Sequence, residues 1–254
     1  MAEIDLPTVR RFEAAGFRAW PARTSFYDGT WSVRLTPDMT ARRLNSINPL
    51  DLSDGRDIER RVGLLKARFA EAGRPVTFRI SPLASPQLVG HLDRAGWSVI
   101  TPSLVMKADL AGLKTAEGDG VEEVSAERFI DAAIALDNLD PANAEGFGRL
   151  IDRIQPQVAL FHIAIDGVPA ANAICVRDGQ VAGLFEVATA REFRGRGLGR
   201  KIVAAALDRA RAQGASTGWL QVEAGNKTAL DLYGSLGFAT IYPYHYRGQP
   251  ETTT

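Results

Sequence analysis

The sequence predicts an α/β protein, an α+β mixed sheet with helices, laid down twice along the chain as two tandem domains. Two observations carry this. Residues 161–247 read as strand, strand, strand, helix, strand, helix, strand. Shifted on itself by 141 residues, the chain also places Gly73 on Gly214, Gly96 on Gly237, Trp97 on Phe238, Ile100 on Ile241 and Pro102 on Pro243 without a gap. The division that follows is a first domain over 1–114, a polar, glycine-rich linker in TAEGDG (115–120), and a second domain over 121–254.

The elements of the second half follow in order. FHIAIDGVPAANAICVRDGQVAGLFEVAT (161–189) gives three short strands separated by Asp166-Gly167 and Asp178-Gly179, which predicts an antiparallel meander. In LGRKIVAAALDRARAQG, Leu198, Ile202, Ala206 and Ala210, with Val203 and Leu207 beside them, keep the spacing of one helical face, and Gly214 supplies the stop. WLQVEA (219–224) is a strand, NKTALDLYGSLG a second helix ended by Gly237, and FATIYPYHYR an aromatic-rich strand. In the first half FRAWPART, TWSVRL and RRLNSI take the places of the meander strands. DIERRVGLLKARFAEAG, VTFRIS and PQLVGHLDRAG then take those of helix, strand and helix.

Composition excludes several classes of function. Thirty basic residues balance thirty acidic ones, which removes a whole-molecule electrostatic case for nucleic acid or an anionic membrane as partner. The single cysteine, Cys175, forbids an internal disulfide and fits a reducing compartment. The N-terminal MAEIDLPTVRRFEAAGFRAW lacks the apolar core of a signal peptide, and no run of about 18 apolar residues occurs. The expectation is a cytoplasmic protein with no nucleic-acid and no membrane partner; its oligomeric state stays open. His91, His162 and His245 have no metal-ligand spacing, so no metal site is expected.

Chemistry concentrates in EFRGRGLGRK (192–201). Arg194, Arg196, Arg200 and Lys201 supply charge, and Gly195, Gly197 and Gly199 strip side chains from alternate positions. Lying between a strand and a helix, the segment joins unpaired helix N–H groups to a cationic surround, which is an anion site. The dinucleotide pattern G-x-G-x-x-G fails at Arg200, and the P-loop pattern finds no match. In the first half the matching residues, Ser53 to Ile58 (SDGRDI), carry two aspartates, so no anion site is expected there.

R-x-x-G-x-G from Arg194 to Gly199, the strand-turn-helix VATAREFRGRGLGRKIV and the later NKTALDLYGSLGF together resemble the GCN5-related N-acetyltransferase (GNAT) family over roughly residues 158–247. Arg191 stands where that family commonly has proline, and the degenerate first half points to its tandem members. The resemblance implies two GNAT-like domains, acetyl-CoA as acyl donor, and a small-molecule or peptide amine as acceptor. It implies that Val187, Ala188 and Thr189 offer backbone partners to the pantetheine arm. Arg194, Gly195, Arg196, Gly197, Leu198, Gly199 and Arg200 would bind the pyrophosphate. Asn226 would bond the CoA arm near the thioester, and Tyr233 would protonate the leaving thiolate. Glu186 is the carboxylate chosen to take the acceptor's proton, with Glu223 in reserve. Tyr242, Tyr244 and Tyr246 suit a core, an interface or a substrate wall. Arg42, Arg43 and Asn45 suit either an internal ion pair or an acidic acceptor. Two other functions fit parts of the pattern. A regulatory acyl-CoA-binding module would need no acid or base; an aminoacyl transfer enzyme would lack the intact basic turn and show a basic groove.

Overall fold

A computed structural model describes residues 4–113 and 120–249. The predicted linker, apart from Gly120, lies outside the described residues. The chain forms two compact units. One takes the chain up to Leu104, Glu223–Gly225 and the chain from Ile241 on; the other takes Val105–Val222 and Asn226–Thr240.

The first unit starts with helix α1 (Leu6–Ala19), and FRAWPART (17–24), expected as a strand, is the end of this helix and the connection to a strand that begins only at Thr24. Helix wins because Asp5 caps it, accepting from the Thr8 amide at 3.2 Å, and because Val9, Phe12, Ala15 and Ala19 return to one buried side. Strands β1 (Thr24–Asp28), β2 (Trp31–Leu35) and β3 (Ser46–Pro49) follow and pair antiparallel. RRLNSI is therefore half turn, since a 3-10 turn over Arg42–Leu44 precedes β3. Helix α2 (Ile58–Glu71), strand β4 (Thr77–Ile80) parallel to β3, helix α3 (Pro86–Arg94) and strand β5 (Ser98–Asp109) complete the run.

The two faces of this unit's sheet differ. Trp31, Val33, Ile47 and Phe78 pack with Val62, Leu65, Phe69, Leu88 and Leu92 into an apolar core, with Phe78 edge-on between Trp31 and Trp97 at 5.6 and 5.4 Å. The opposite face is buried but polar. Arg79 forks onto Glu13 of α1 at 2.9 and 2.8 Å and lies 3.4 Å from the centre of the Tyr244 ring. The Tyr242 hydroxyl donates to the same carboxylate at 3.0 Å. Tyr242, Tyr244 and Tyr246 are thus core residues. Asn45 accepts from the Thr36 amide at 2.8 Å and donates to the Met39 carbonyl at 2.8 Å, and Arg43 lies over Trp20. The alternative of a group waiting for an acidic acceptor does not hold for Asn45.

In the second unit strand β6 (Glu122–Glu123) and helices α4 (Ala126–Ala135) and α5 (Ala144–Arg153) precede the meander. The meander itself is β7 (Gln157–Ile165), β8 (Val168–Asp178) and β9 (Val181–Thr189), antiparallel throughout. Helix α6 (Leu198–Ala212) leads to β10 (Thr217–Glu223), parallel to β9, and to helix α7 (Lys227–Ser235). Cys175 is buried in β8, where burial pushes its thiol up to about 12. No helix among the described residues is long and apolar enough to cross a membrane.

From α2 onward the offset of 141 carries element onto element, whereas β1 falls on the turn between β7 and β8. The same offset carries α3 onto α7 end to end, and the helix-ending glycines match in conformation: Gly73 and Gly214 have φ of 64° and 98°, Gly96 and Gly237 of 73° and 88°. The last strands depart from sequence order. Strand β11 (Ala239–Gly248) begins in the second unit and ends in the first, where it pairs antiparallel with β4 from His245 to Gly248. β5 does the reverse, ending in the second unit beside β10. The compact units therefore differ from the division 1–114 and 121–254, because each takes in the end of the other half's last strand.

Candidate active site

The site is built where β9 loses a neighbour. On one side β9 pairs with β8, but β8 advances two residues from Asn172 to Ile174 while β9 advances three from Phe185 to Ala188. The extra residue is a bulge, and Glu186 in it adopts φ +47°, a conformation L residues avoid. On the other side the parallel pairing with β10 runs only from Val181–Thr217 to Leu184–Leu220, although β9 continues to Thr189 and β10 to Glu223. Beyond Leu184 the two strands part. Val187, Ala188 and Thr189 therefore have no strand partner on the β10 side, which makes them the edge of a cleft.

At the far end of β9 the chain turns into α6. Gly195 and Gly197 have φ of 76° and 77°, and a Cβ at either would meet nothing within 4 Å. Glycine is required there by backbone conformation, and the space above the turn is open. The first α-helical bond runs from the Lys201 amide to the Gly197 carbonyl, so the amides before it have no helical acceptor. Gly199 faces Leu232 and Thr189, where an added Cβ would sit in ordinary contact, 3.5 Å from both.

A cavity of about 580 Å³ joins these features within the second unit. Val187, Ala188, Thr189, Arg194, Gly195, Gly197, Leu198, Gly199, Arg200, Asn226 and Tyr233 all line it. Arg196 does not, its guanidinium standing 5.2 Å from the Phe193 ring centre. Glu186 does not either; its Oε2 is 3.5 Å from Nδ2 of Asn138, which does. Arg200 donates to the Ser235 hydroxyl at 2.6 Å and carbonyl at 3.2 Å, which fixes its charge at the C-terminal end of α7. Arg194 donates to the Thr189 carbonyl at 3.3 Å. Asn226 caps α7, its Oδ1 accepting from the Ala229 amide at 3.1 Å, which leaves Nδ2 for a ligand.

Tyr233 lies in the wall, 7% exposed, its ring 5.8 Å from that of Phe238. Burial pushes its hydroxyl up to about 12, so it stays protonated across the working range. Glu223 is exposed and does not line the cavity. His162 and His245 are held below the ordinary histidine value first by burial, then by Arg128 and Arg247 respectively. Among the described residues no group of three or more His, Cys, Asp or Glu could hold a metal ion.

Sequence reasoning missed part of the wall. Leu136, Asp137 and Asn138, the segment after α4, line the cavity beside Phe193, Thr228 and Leu232. The signal was present in the Ser125 cap and the buried spacing Phe129, Ala132, Ala133, Leu136.

A parted strand pair, a glycine turn at a helix N-terminus and a buried tyrosine thus meet in one cavity. Residues 128–238, which hold it, match the model of the Acetyltransferase (GNAT) family. The whole chain is 26% identical over 246 residues to the uncharacterized N-acetyltransferase YobR of Bacillus subtilis (strain 168), covering 94% of this chain and 98% of that protein. It is 38% identical over 88 residues to the [ribosomal protein bS18]-alanine N-acetyltransferase of Escherichia coli (strain K12), spanning 34% of this chain and 60% of that protein. Among solved structures, a GCN5-related N-acetyltransferase from Kribbella flavida superposes with a TM-score of 0.73 at 21% identity, covering 98% of this chain and 97% of that one. A tandem GNAT protein from the clavulanic acid biosynthesis pathway does so at 0.62 and 14% identity, covering 92% and 86%. These two likenesses concern the fold.

Proposed function

We propose that the protein transfers an acetyl group from acetyl-CoA to a primary amine by direct attack of the amine on the thioester. The observation that carries the reading is the one cavity lined by the 194–200 turn, by Val187–Thr189 and by Tyr233. The turn and Arg194 suit a pyrophosphate, since anions are stabilised at a helix N-terminus. The unpaired edge of β9 suits the amides of a pantetheine arm, and Nδ2 of Asn226 is the donor nearest the start of α7. Tyr233 serves as the acid that returns a proton to the departing thiolate. Glu186 receives the proton the amine must lose; Asn138 holds it beside the cavity.

In this reading the chain is a tandem of two GNAT-like domains, 1–114 and 121–254, working in the cytoplasm, with the first copy degenerate. Support comes from the 141-residue offset and from the aspartate-filled turn at 53–58. The test is a screen of primary amines for CoA release by the full chain, with Tyr233→Phe as control. Release that depends on both acetyl-CoA and an amine is expected. Binding of acetyl-CoA without release in any amine would leave a binding module in its place.

A further inference from the structure

The charged residues lining the cavity fall at opposite ends. Arg194 and Arg200 stand at the glycine turn; the third charged lining residue is Asp137. Its neighbour Asn138 lies 3.5 Å from Glu186, three residues before Thr189 on β9. That places the Leu136–Asn138 segment at the end of the β9 edge away from the turn, roughly 10 Å along an extended strand. The donor's phosphates occupy the turn end in the reading above, so this is the acceptor's end. Its wall holds a carboxylate and no cation.

Local structure gives Asp137 no reason to be an aspartate. It is the left-handed residue that ends α4, with φ +54° and the Asn138 amide closing onto the Ala133 carbonyl at 2.9 Å. Glycine or asparagine suits that place better, and a carboxylate there opposes the negative end of the helix dipole. Asp140, three residues on, is different: its Oδ1 accepts from the Ala142 amide at 2.9 Å and caps the next turn. The Asp137 carboxylate is exposed and makes no hydrogen bond or ion pair among the described residues.

We infer that the acceptor is an amine with a second positive charge, and that Asp137 binds that charge while the other amine reacts. The inference rests on the transfer reading above and names its substrate class. The attacking amine must be neutral, whereas the second ammonium stays protonated and needs an anion when it enters the cleft. Asp137 is a positioning residue in this account.

The test compares chain-matched amines: 1,5-diaminopentane, pentylamine and 5-aminopentanoate, assayed for CoA release with the full chain. The expected order is diamine first, at least about tenfold above pentylamine in kcat/KM, with the acid last. Asp137→Asn should raise KM for the diamine by roughly 10- to 100-fold, the worth of a hydrogen bond to a charged group, and bring the diamine-to-pentylamine ratio towards one. Because asparagine suits the left-handed helix end, the variant should melt no lower than the parent. Equal kcat/KM for diamine and pentylamine, or a preference that survives Asp137→Asn, overturns the inference and leaves acetyl transfer standing. If no amine releases CoA, calorimetry of 1,5-diaminopentane with CoA-saturated protein decides. Binding lost in Asp137→Asn supports the charge site while the transfer reading falls; no binding in the parent overturns the site.

Discussion

The turns before α2 and α6, 141 residues apart, are filled in opposite ways. In the first, the protein supplies its own anion. Asp54 accepts from Arg61 at 2.7 and 3.1 Å and from the Thr30 amide and hydroxyl at 2.9 and 2.8 Å. Arg61 also bonds Asp28 at 3.0 Å and stacks 3.7 Å from the Trp31 ring centre. In the second, Gly195 stands at the place of Asp54 and buried Ile202 at that of Arg61, and the helix amides have no internal partner. One backbone device is closed into an internal clasp or left open to a cavity, depending on whether a carboxylate is built into it. The same contrast holds at Leu92, wholly buried, against Tyr233 in a cavity wall.

The largest expected effect breaks the comparison at its centre. Gly197→Glu puts a charged side chain on a residue at φ 77° and should abolish the thermal stabilisation given by acetyl-CoA, while Arg56→Glu at the matching place leaves it intact. Calorimetry should accordingly find one CoA per chain, and a second site would undo the contrast. Next comes Tyr233→Phe, which keeps the ring and should lower kcat by roughly 10²- to 10⁴-fold with acetyl-CoA affinity nearly unchanged. Wild-type kcat, once chemistry is shown to limit the rate, would reduce Tyr233 to a packing residue like Leu92.

A smaller effect concerns the clasp. Burial raises the Asp54 carboxyl, but the hydrogen bonds from Arg61 and Thr30 outweigh this and hold it at about 2 against an ordinary 3.8. Its folded value is depressed, so its contribution is present above the unfolded value near 3.8 and is lost as pH falls towards 2. Asp54→Asn should cost about 2 kcal/mol at pH 7 by chemical denaturation, and the difference should fade below about pH 4. A difference that stays constant to pH 2 would place the clasp's strength elsewhere. The smallest effect is at the matched helix caps: Ser85→Ala should cost about 1 kcal/mol of stability and leave CoA binding alone, whereas Asn226→Ala should weaken both.

Much of this was legible because it rests on local rules. The strand-turn-helix around Gly197, the ends of α6 and α7 at Gly214 and Gly237, and the Asp-Gly turns of the meander each follow from φ requirements that a single residue announces. What was not legible depends on other parts of the chain. α1 carries charges at Arg10, Arg11 and Arg18 that mask its period, and its buried Glu13 makes sense only once Arg79 faces it. Nothing around Asp137 in the sequence says that its segment lines the cavity beside β9. The exchange of β5 and β11 left no trace at all, since both strands occupy equivalent places under the offset and either could pair with β4.

That exchange has a consequence for how the chain is born. β4 is an inner strand of the first unit only once β11 lies against it, and β11 ends at Gly248. During synthesis the first hundred residues emerge with a bare strand edge at Thr77–Ile80 and with Glu13 and Arg79 lacking the tyrosines that cover them. At the usual 5–20 residues per second, the remaining chain takes roughly 7 to 30 s to arrive. For that interval the first unit is an open sheet on the ribosome, exposed to any other strand that can add to it. The native edge of β4 is therefore covered only after the last strand has been made.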